Sequence, residues 1–261
     1  YQNMQQKIID VLDTAEYVEV IGKGENQTNM QVQLAALSNP EKQTKFENCV
    51  ADVNIPLGEV FTSPKLAGTN GILNVGTVYI GDIQYRNLRM EFKDGRVVSA
   101  VCDNFVENGV IDQEAGHRLI VQGIMNGHEM LPLGEFAIGT NTTAYAMAEK
   151  FGILDRLPIL IVEKMGPHFA VGDTCYSWSE DSPMYNPDGK EMIARDNEVS
   201  ILRKEDVSKA YFGVHTDITI PYKELERISA VHTDGTKTDI ILDGRFVLAG
   251  LDELNKPVKL K

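Results

Sequence analysis

The stretch PLGEFAIGTN, residues 132–141, decides the fold prediction because its first four residues also open PLGEVFTSP at residues 56–64. In both copies a glutamate, Glu59 or Glu135, follows glycine at the start of an apolar segment typical of a β-strand. Apolar neighbours predict that each carboxylate is buried, and a buried carboxylate needs a cation or hydrogen bonds. We interpret the repeat as two strands that carry metal ligands. For either glutamate alone, the alternative is a solvated strand end.

Two later motifs add histidines to this set. His168 lies in MGPHFAVGDTCY, where the flanking glycines allow a close backbone approach. His215 and Asp217 lie two residues apart in YFGVHTDITIP and therefore share one face of a predicted strand. Imidazole nitrogens combined with carboxylate oxygens suit zinc, cobalt or manganese. The alternatives are a packed core histidine at position 168 and a surface pair at 215–217.

The same tripeptide occurs again as His232-Thr233-Asp234, but Gly235 follows it and indicates a hairpin turn, so we assign this copy to a loop. Tyr176, eight residues after His168, is a candidate hydrogen-bond donor to a developing oxyanion, with a buried aromatic as the alternative. Two divalent ions would balance three carboxylates and one hydroxide, which predicts a two-metal site with one bridging carboxylate.

Composition narrows the class of protein. A net charge of −13 over 261 residues argues against nucleic-acid binding, which requires a basic surface. No apolar run reaches the roughly 18 residues of a membrane span, and no signal peptide opens the chain. The three cysteines are far apart, which argues against a disulfide framework or a thiolate zinc site. We therefore expect a cytoplasmic protein with no nucleic-acid or membrane partner.

The hydrophobic pattern predicts an α+β fold, a β-rich mixed domain with a few helices and a metal site built from strand ends and Gly-rich loops. Helical spacing covers 3–15, 112–126 and 141–151. A β-meander is predicted over 72–101, with Asp94-Gly95 as a hairpin turn and 68–71 as a loop before it. Further strands are predicted at these positions: 17–21, 30–34, 158–162, 199–202, 213–220, 227–231, 238–242 and 245–248.

Taken together, the motifs resemble those of the aminopeptidase T family, also called the thermophilic metallopeptidases, which includes aminopeptidase S. The resemblance rests on five segments in the family's order: NIPLGEVFTSP (54–64), MEFKDGRVV (90–98), LGEFAIGTN (133–141), HFAVGDTCY (168–176) and HTD (215–217). It implies an aminopeptidase with two divalent metal ions (zinc, cobalt, manganese or magnesium) that hydrolyses N-terminal residues from peptides. The implied ligands are Glu59, Glu135, His168, His215 and Asp217. Glu135, which we expect to bridge the ions, and Tyr176 would be catalytic.

The chain also departs from the family pattern. The spacing from His168 to Tyr176 is one residue longer, and Cys175 intervenes. The family's N-terminal α/β domain is not recognisable, so we expect residues 1–261 to be the C-terminal, metal-bearing catalytic domain of a protein that is a homodimer at full length. A non-catalytic or truncated relative that binds metal or peptide is one alternative function. A metallo-amidase acting on small metabolites is another.

Overall fold

Alternating apolar residues and glycine turns produce a chain rich in strands, which a computed structural model describes for residues 1–51, 55 and 57–258. Asn54 and Pro56, which belong to the first of the five motif segments, lie outside the described residues. The described residues form five α-helices: α1 (Gln2–Leu12), α2 (Gln113–Gly123), α3 (Thr142–Phe151), α4 (Ile159–Val162) and α5 (Asp252–Asn255). The predicted α+β class with few helices is confirmed.

The strands of the described chain are short except for one long hairpin. In chain order they are β1 (Tyr17–Gly22), β2 (Asn29–Gln33), β3 (Gln43–Thr44), β4 (Glu47–Cys49), β5 (Glu59–Thr62), β6 (Lys65–Ile80), β7 (Ile83–Lys93), β8 (Arg96–Val101), β9 (Val106–Glu107), β10 (Val110–Ile111), β11 (Leu133–Gly139), β12 (Pro167–Gly172), β13 (Glu191–Met192), β14 (His215–Thr219), β15 (Leu225–Val231), β16 (Lys237–Leu242) and β17 (Arg245–Phe246).

Two sheets dominate the architecture. The larger has eight strands in the order β17-β16-β15-β1-β2-β6-β7-β8, and the smaller has five in the order β14-β12-β11-β5-β4. Neighbours within both sheets are antiparallel. Phe136 and Phe169 of the small sheet share one continuous hydrophobic core with Val18 of the large sheet and Ile8 of α1. The small sheet is therefore covered on one face by the main core.

Local sequence signals set several boundaries as predicted. Asp94 and Gly95 both have positive φ (45° and 64°) and join β7 to β8, as expected for a two-residue hairpin turn. At α3 the side chain of Asn141 accepts a hydrogen bond from the Ala144 backbone N–H at 3.0 Å, and Gly152 ends the helix in the left-handed conformation. Of the helices in the described part of the chain, none combines the length and apolarity needed to cross a bilayer.

Two predicted strands are wrong because local hydrogen bonds favour helical turns. Residues 158–162 form α4, whose backbone N–H groups at Ile161 and Val162 bond to the Pro158 carbonyl. A short apolar run alone cannot distinguish a strand from a helix. Residues 200–204 form a 3₁₀ helix because the Asn197 side chain accepts hydrogen bonds from the N–H groups of Val199 and Ser200.

The predicted loop at 68–71 is also wrong, since β6 continues through it. Gly68 and Gly71 have φ of +83° and +135°, and the pairing of β2 with β6 shifts register here. Glycine is required at position 71 because a Cβ there would lie 2.0 Å from the backbone oxygen of Asn29. The glycines therefore kink a continuous strand rather than end it.

We expect Gly71→Ala to destabilise the fold by at least about 2 kcal/mol, since the methyl group collides with the backbone of β2 and the φ value is strained. Gly81→Ala is the matched control. Gly81 also has positive φ (+59°), but no atom lies within 4 Å of its Cβ position, so the loss should be about 1 kcal/mol. Urea unfolding of both variants measures the difference, and equal losses would contradict the close approach at position 71.

Candidate metal centre

Four neighbouring strands of the small sheet carry the five predicted ligands. Glu59 begins β5, Glu135 lies in β11, His168 lies in β12, and His215 and Asp217 lie in β14. The structure therefore brings together side chains that are separated by up to 158 positions in the sequence, from 59 to 217. Strand order contributes to this, since β14, β12, β11 and β5 are consecutive in the sheet.

Strand register places these side chains on one face, because directly paired residues of antiparallel strands point the same way. The relevant pairs are Gly139–Glu59, Ala137–His168, Glu135–Ala170, Ala170–Asp217 and Gly172–His215. The residues between the ligands on this face are thus glycine or alanine, which leaves space for the longer side chains to converge. The alternate residues Phe136, Phe169 and Ile218 are fully buried on the other face.

His168 is at the centre of the cluster and is 1% exposed. Its Nε2 atom lies 3.4 Å from Oε2 of Glu59, 3.5 Å from Oε1 of Glu135 and 4.0 Å from Oδ1 of Asp217. Three carboxylates therefore surround one imidazole nitrogen in the protein interior.

His215 stands on the other side of Glu135. Its Nε2 atom lies 3.1 Å from Oε2 of Glu135 and 3.6 Å from Oδ1 of Asp217. The two oxygens of Glu135 thus face different histidines, with Oε1 toward His168 and Oε2 toward His215. This side of the cluster is the open one, since the side chain of His215 is 29% exposed whereas that of His168 is 1% exposed.

Backbone carbonyls fix the orientation of both imidazoles. Nδ1 of His168 lies 3.2 Å from the carbonyl oxygen of Gly166, and Nδ1 of His215 lies 2.7 Å from that of Asp173. With Nδ1 donating to a carbonyl, Nε2 of each imidazole faces the carboxylates, and loss of its proton would free a lone pair for a metal ion. This is the arrangement that metal-binding histidines use.

A buried lysine closes the inner end of the cluster. Lys164 is 1% exposed, and its ammonium group contacts Oε1 of Glu59 and lies 2.5 Å from Oε1 of Glu163. Oε2 of Glu59 is then the oxygen that faces His168, and it accepts no hydrogen bond among the described residues. Lys164 therefore holds Glu59 so that one oxygen points into the cluster.

The electrostatics of the cluster favour added positive charge. Burial alone would lower the pKa of His168, but contact with Glu135 and the charges of Glu135 and Glu59 outweigh it and raise that pKa to about 10. Burial opposes ionisation of Glu135 too, yet His168 and His215 hold its pKa well below the usual value. Without a metal ion, protons on the imidazoles thus supply the charge that the carboxylates require.

The donor set fits divalent cations. Glu59, Glu135 and His168 each offer a ligand atom within 4.8 Å of the other two, and so do Glu135, Cys175 and His215. The buried Oδ1 atom of Asp217 also lacks a hydrogen bond within the described chain. Mixed carboxylate and imidazole donors of this kind suit zinc, cobalt or manganese. Two groups that share one carboxylate could hold two ions.

The hydroxyl of Tyr176 is engaged outside the five predicted ligands. It donates a hydrogen bond to Glu47, and its ring packs against Phe61 at a centroid distance of 5.8 Å. The preceding residue, Cys175, instead directs its Sγ atom to Oε2 of Glu135 at 2.7 Å. The catalytic role of Tyr176 stays a prediction and would require its hydroxyl to leave Glu47.

Sequence reasoning missed three residues that shape the cluster. Lys164 and Asp173 act through contacts between distant segments, which no short motif reveals. Asp173 holds His215 through its carbonyl and also accepts hydrogen bonds from the N–H groups of Phe212 and Gly213. The sequence does single out Cys175, because this residue lengthens the spacing from His168 to Tyr176 relative to the family pattern.

The second His-Thr-Asp tripeptide lies in a turn, as predicted. His232 contacts Thr14 and Thr238, and Asp234 accepts two hydrogen bonds from Thr236. The two copies have the same residues, but the first lies in strand β14 and the second in a turn.

Comparison with known proteins places these observations in context. The family model described as thermophilic metalloprotease (M29) matches residues 1–246. No curated protein matches the chain in sequence. Among solved structures, the chain is similar to wild-type AmpT from Thermus thermophilus, with a TM-score of 0.56 and 17% identity over 93% of this chain and 53% of that one. It is also similar to 2,5-dihydroxypyridine dioxygenase from Pseudomonas putida KT2440, with a TM-score of 0.54 and 13% identity over 95% of this chain and 59% of that one.

These two structural matches show a shared fold. The chain spans between half and three fifths of the length of the two structures.

We expect Lys164→Met to destabilise the metal-free protein by about 3 kcal/mol, because it leaves the buried carboxylates of Glu59 and Glu163 without their cation. Lys223→Met is the control. Lys223 pairs with Glu149 at 3.0 Å with its side chain 54% exposed, so this loss should be below about 1 kcal/mol. Denaturant unfolding in the presence of a chelator compares the two variants. A loss at Lys164 no larger than at Lys223 would contradict the neutralising role.

Proposed function

The chain belongs to the thermophilic metalloprotease family (M29), and from that premise we propose that it is a metal-dependent aminopeptidase. In this proposal, the ligand-bearing face of the small sheet would hold two divalent ions, with Glu135 common to both. The proposal rests on the orientation of the Glu135 carboxylate, which directs one oxygen to each histidine. One oxygen lies 3.5 Å from Nε2 of His168, and the other lies 3.1 Å from Nε2 of His215. Paired catalytic metals about 3.5–4 Å apart commonly share a carboxylate in this way.

Each ligand has a defined place in the proposed site. Glu59, His168 and Glu135 would hold an inner ion, while His215, Asp217 and Glu135 would hold an outer one. Bound divalent ions would supply Lewis acidity toward a peptide carbonyl and lower the pKa of water. The low pKa of Glu135 keeps its carboxylate ionised and ready to bind at neutral pH.

The shape of the site supports removal of terminal residues. Lys164 and Glu163 are buried and close the cluster at its inner end, whereas His215 and Cys175 lie at its exposed end. A site that is open on one side accepts a chain end more readily than the middle of an extended peptide. We therefore propose a peptide with a free amino terminus as the substrate and residues 1–261 as one catalytic domain.

One observation favours a second candidate, a non-catalytic relative that binds metal or peptide. The hydroxyl of Tyr176, which would steady the oxyanion, is bonded to Glu47 instead. The two candidates make the same prediction for metal binding and opposite predictions for turnover.

Metal content tests the ligand assignment through the two copies of the His-Thr-Asp tripeptide. We expect His215→Ala to lose about one bound ion per chain and to lower peptide turnover more than about 100-fold, because it removes a direct ligand. His232→Ala, in the second copy, should retain the metal content and turnover of the parent protein. Elemental analysis after equilibration with zinc reads out both variants, and equal metal loss in both would exclude His215 as a specific ligand.

A substrate panel tests the reaction. With metal-loaded protein we expect release of the first residue from unblocked dipeptides and tripeptides, sensitivity to a chelator, and at least about 100-fold slower cleavage of the same peptides carrying an N-acetyl group. Metal binding without any turnover would support the non-catalytic candidate. Equal cleavage of acetylated and free peptides would indicate an amidase instead.

A further inference from the structure

Cys175 occupies a position that the proposed ligand set leaves unused. It follows β12 in a turn and is exposed, whereas Cys49 and Cys102 are buried. Its Sγ atom lies 2.7 Å from Oε2 of Glu135 and 3.9 Å from Nε2 of His215. All three residues fall in one group whose ligand atoms lie within 4.8 Å of one another.

A second observation at the same place points to a cation. Asp217 is 5% exposed, and its Oδ1 atom accepts no hydrogen bond from the described residues. That oxygen lies 3.6 Å from Nε2 of His215, the nitrogen that also lies 3.9 Å from Sγ of Cys175. An unpaired buried carboxylate oxygen is costly unless a cation or donor meets it.

Three donor atoms therefore converge, Oε2 of Glu135, Sγ of Cys175 and Nε2 of His215, and Oδ1 of Asp217 lies beside His215 as a fourth donor. Ligand atoms bound at about 2.0–2.3 Å to one tetrahedral zinc ion lie about 3.3–3.8 Å from each other. The separations of 2.7, 3.1 and 3.9 Å among Glu135, Cys175 and His215 bracket that range, and Oδ1 of Asp217 lies 3.6 Å from Nε2 of His215.

We propose that Cys175 is a fourth protein ligand of the outer ion and binds it as a thiolate beside Glu135, His215 and Asp217. The proposal rests on the metal site of the proposed function and adds to it. On binding, the S–H bond breaks, the Sγ–metal bond forms, and the proton passes to solvent without any redox change.

Charge balance supports the thiolate. Glu59, Glu135 and Asp217 contribute three negative charges, and a Cys175 thiolate makes four, which equals the charge of two divalent ions. A hydroxide is then no longer needed to neutralise the pair. Because thiolates are soft donors, the outer position should favour zinc or cobalt over manganese and magnesium.

The test uses cobalt as a spectroscopic probe of the full chain. We expect the cobalt-loaded protein to show an intense sulfur-to-cobalt charge-transfer band in the near ultraviolet, and the zinc-loaded protein to show one Zn–S distance of about 2.3 Å by X-ray absorption. Cys175→Ser should lose both signals, while Cys102→Ala should retain them. A cobalt-binding parent protein that lacks the band would overturn the thiolate ligand but leave the proposed function intact. Failure to bind any metal would overturn both.

Alkylation of the parent protein gives a second readout that does not depend on a variant. Iodoacetamide should modify Cys175 of the metal-free protein slowly, because burial and the charge of Glu135 raise the pKa of its thiol. Zinc should slow this reaction at least about tenfold further, because a bound thiolate is less available. The buried thiols of Cys49 and Cys102 act as internal controls. An alkylation rate at Cys175 that zinc leaves unchanged, in protein shown to contain zinc, would contradict the proposal.

Discussion

Three carboxylates on one buried sheet face impose the constraint on which the rest of the site depends. Glu59, Glu135 and Asp217 are each at most 5% exposed and lie around His168. Charges removed from water must be met by opposite charge or by donors. Lys164 pairs with Glu59, and imidazole groups lie beside Glu135 and Asp217. One oxygen of Glu59 and one of Asp217 still accept no hydrogen bond among the described residues. Those oxygens are where cations would have the strongest effect.

The backbone positions these charged side chains through strand register and through carbonyl groups that orient the imidazoles. Antiparallel register puts the five proposed ligands on one face with only glycine and alanine between them, while the opposite face supplies the large residues of the core. Carbonyl groups of Gly166 and Asp173 then orient the two imidazoles. Because these constraints come from hydrogen bonds within and beside the strands, the donor side chains are positioned without a metal ion, which would reduce the cost of assembling a metal site.

Much of this could be predicted from the sequence wherever the signal is local. The separation of His215 and Asp217 by two residues identifies a shared face of one strand, and the repeated Gly-Glu at 58–59 and 134–135 marks two buried strands. Lys164 could not be predicted, since its role depends on a contact with Glu59 that spans 105 positions. The error at 158–162 has another origin, because four apolar residues after a proline satisfy a helical turn as well as a strand.

The seven-residue spacing from His168 to Cys175 determines which side chain contacts Glu135. Cys175 and Tyr176 are adjacent, yet the thiol contacts Glu135 and the phenol contacts Glu47. A phenol at position 175 would offer a hydrogen-bond donor to an oxyanion, whereas a thiol there would offer a soft ligand to a metal. A shift of one residue in this turn would therefore change which side chain contacts Glu135. A tyrosine there would suit stabilisation of a transition state, whereas a cysteine would suit tighter binding of an ion.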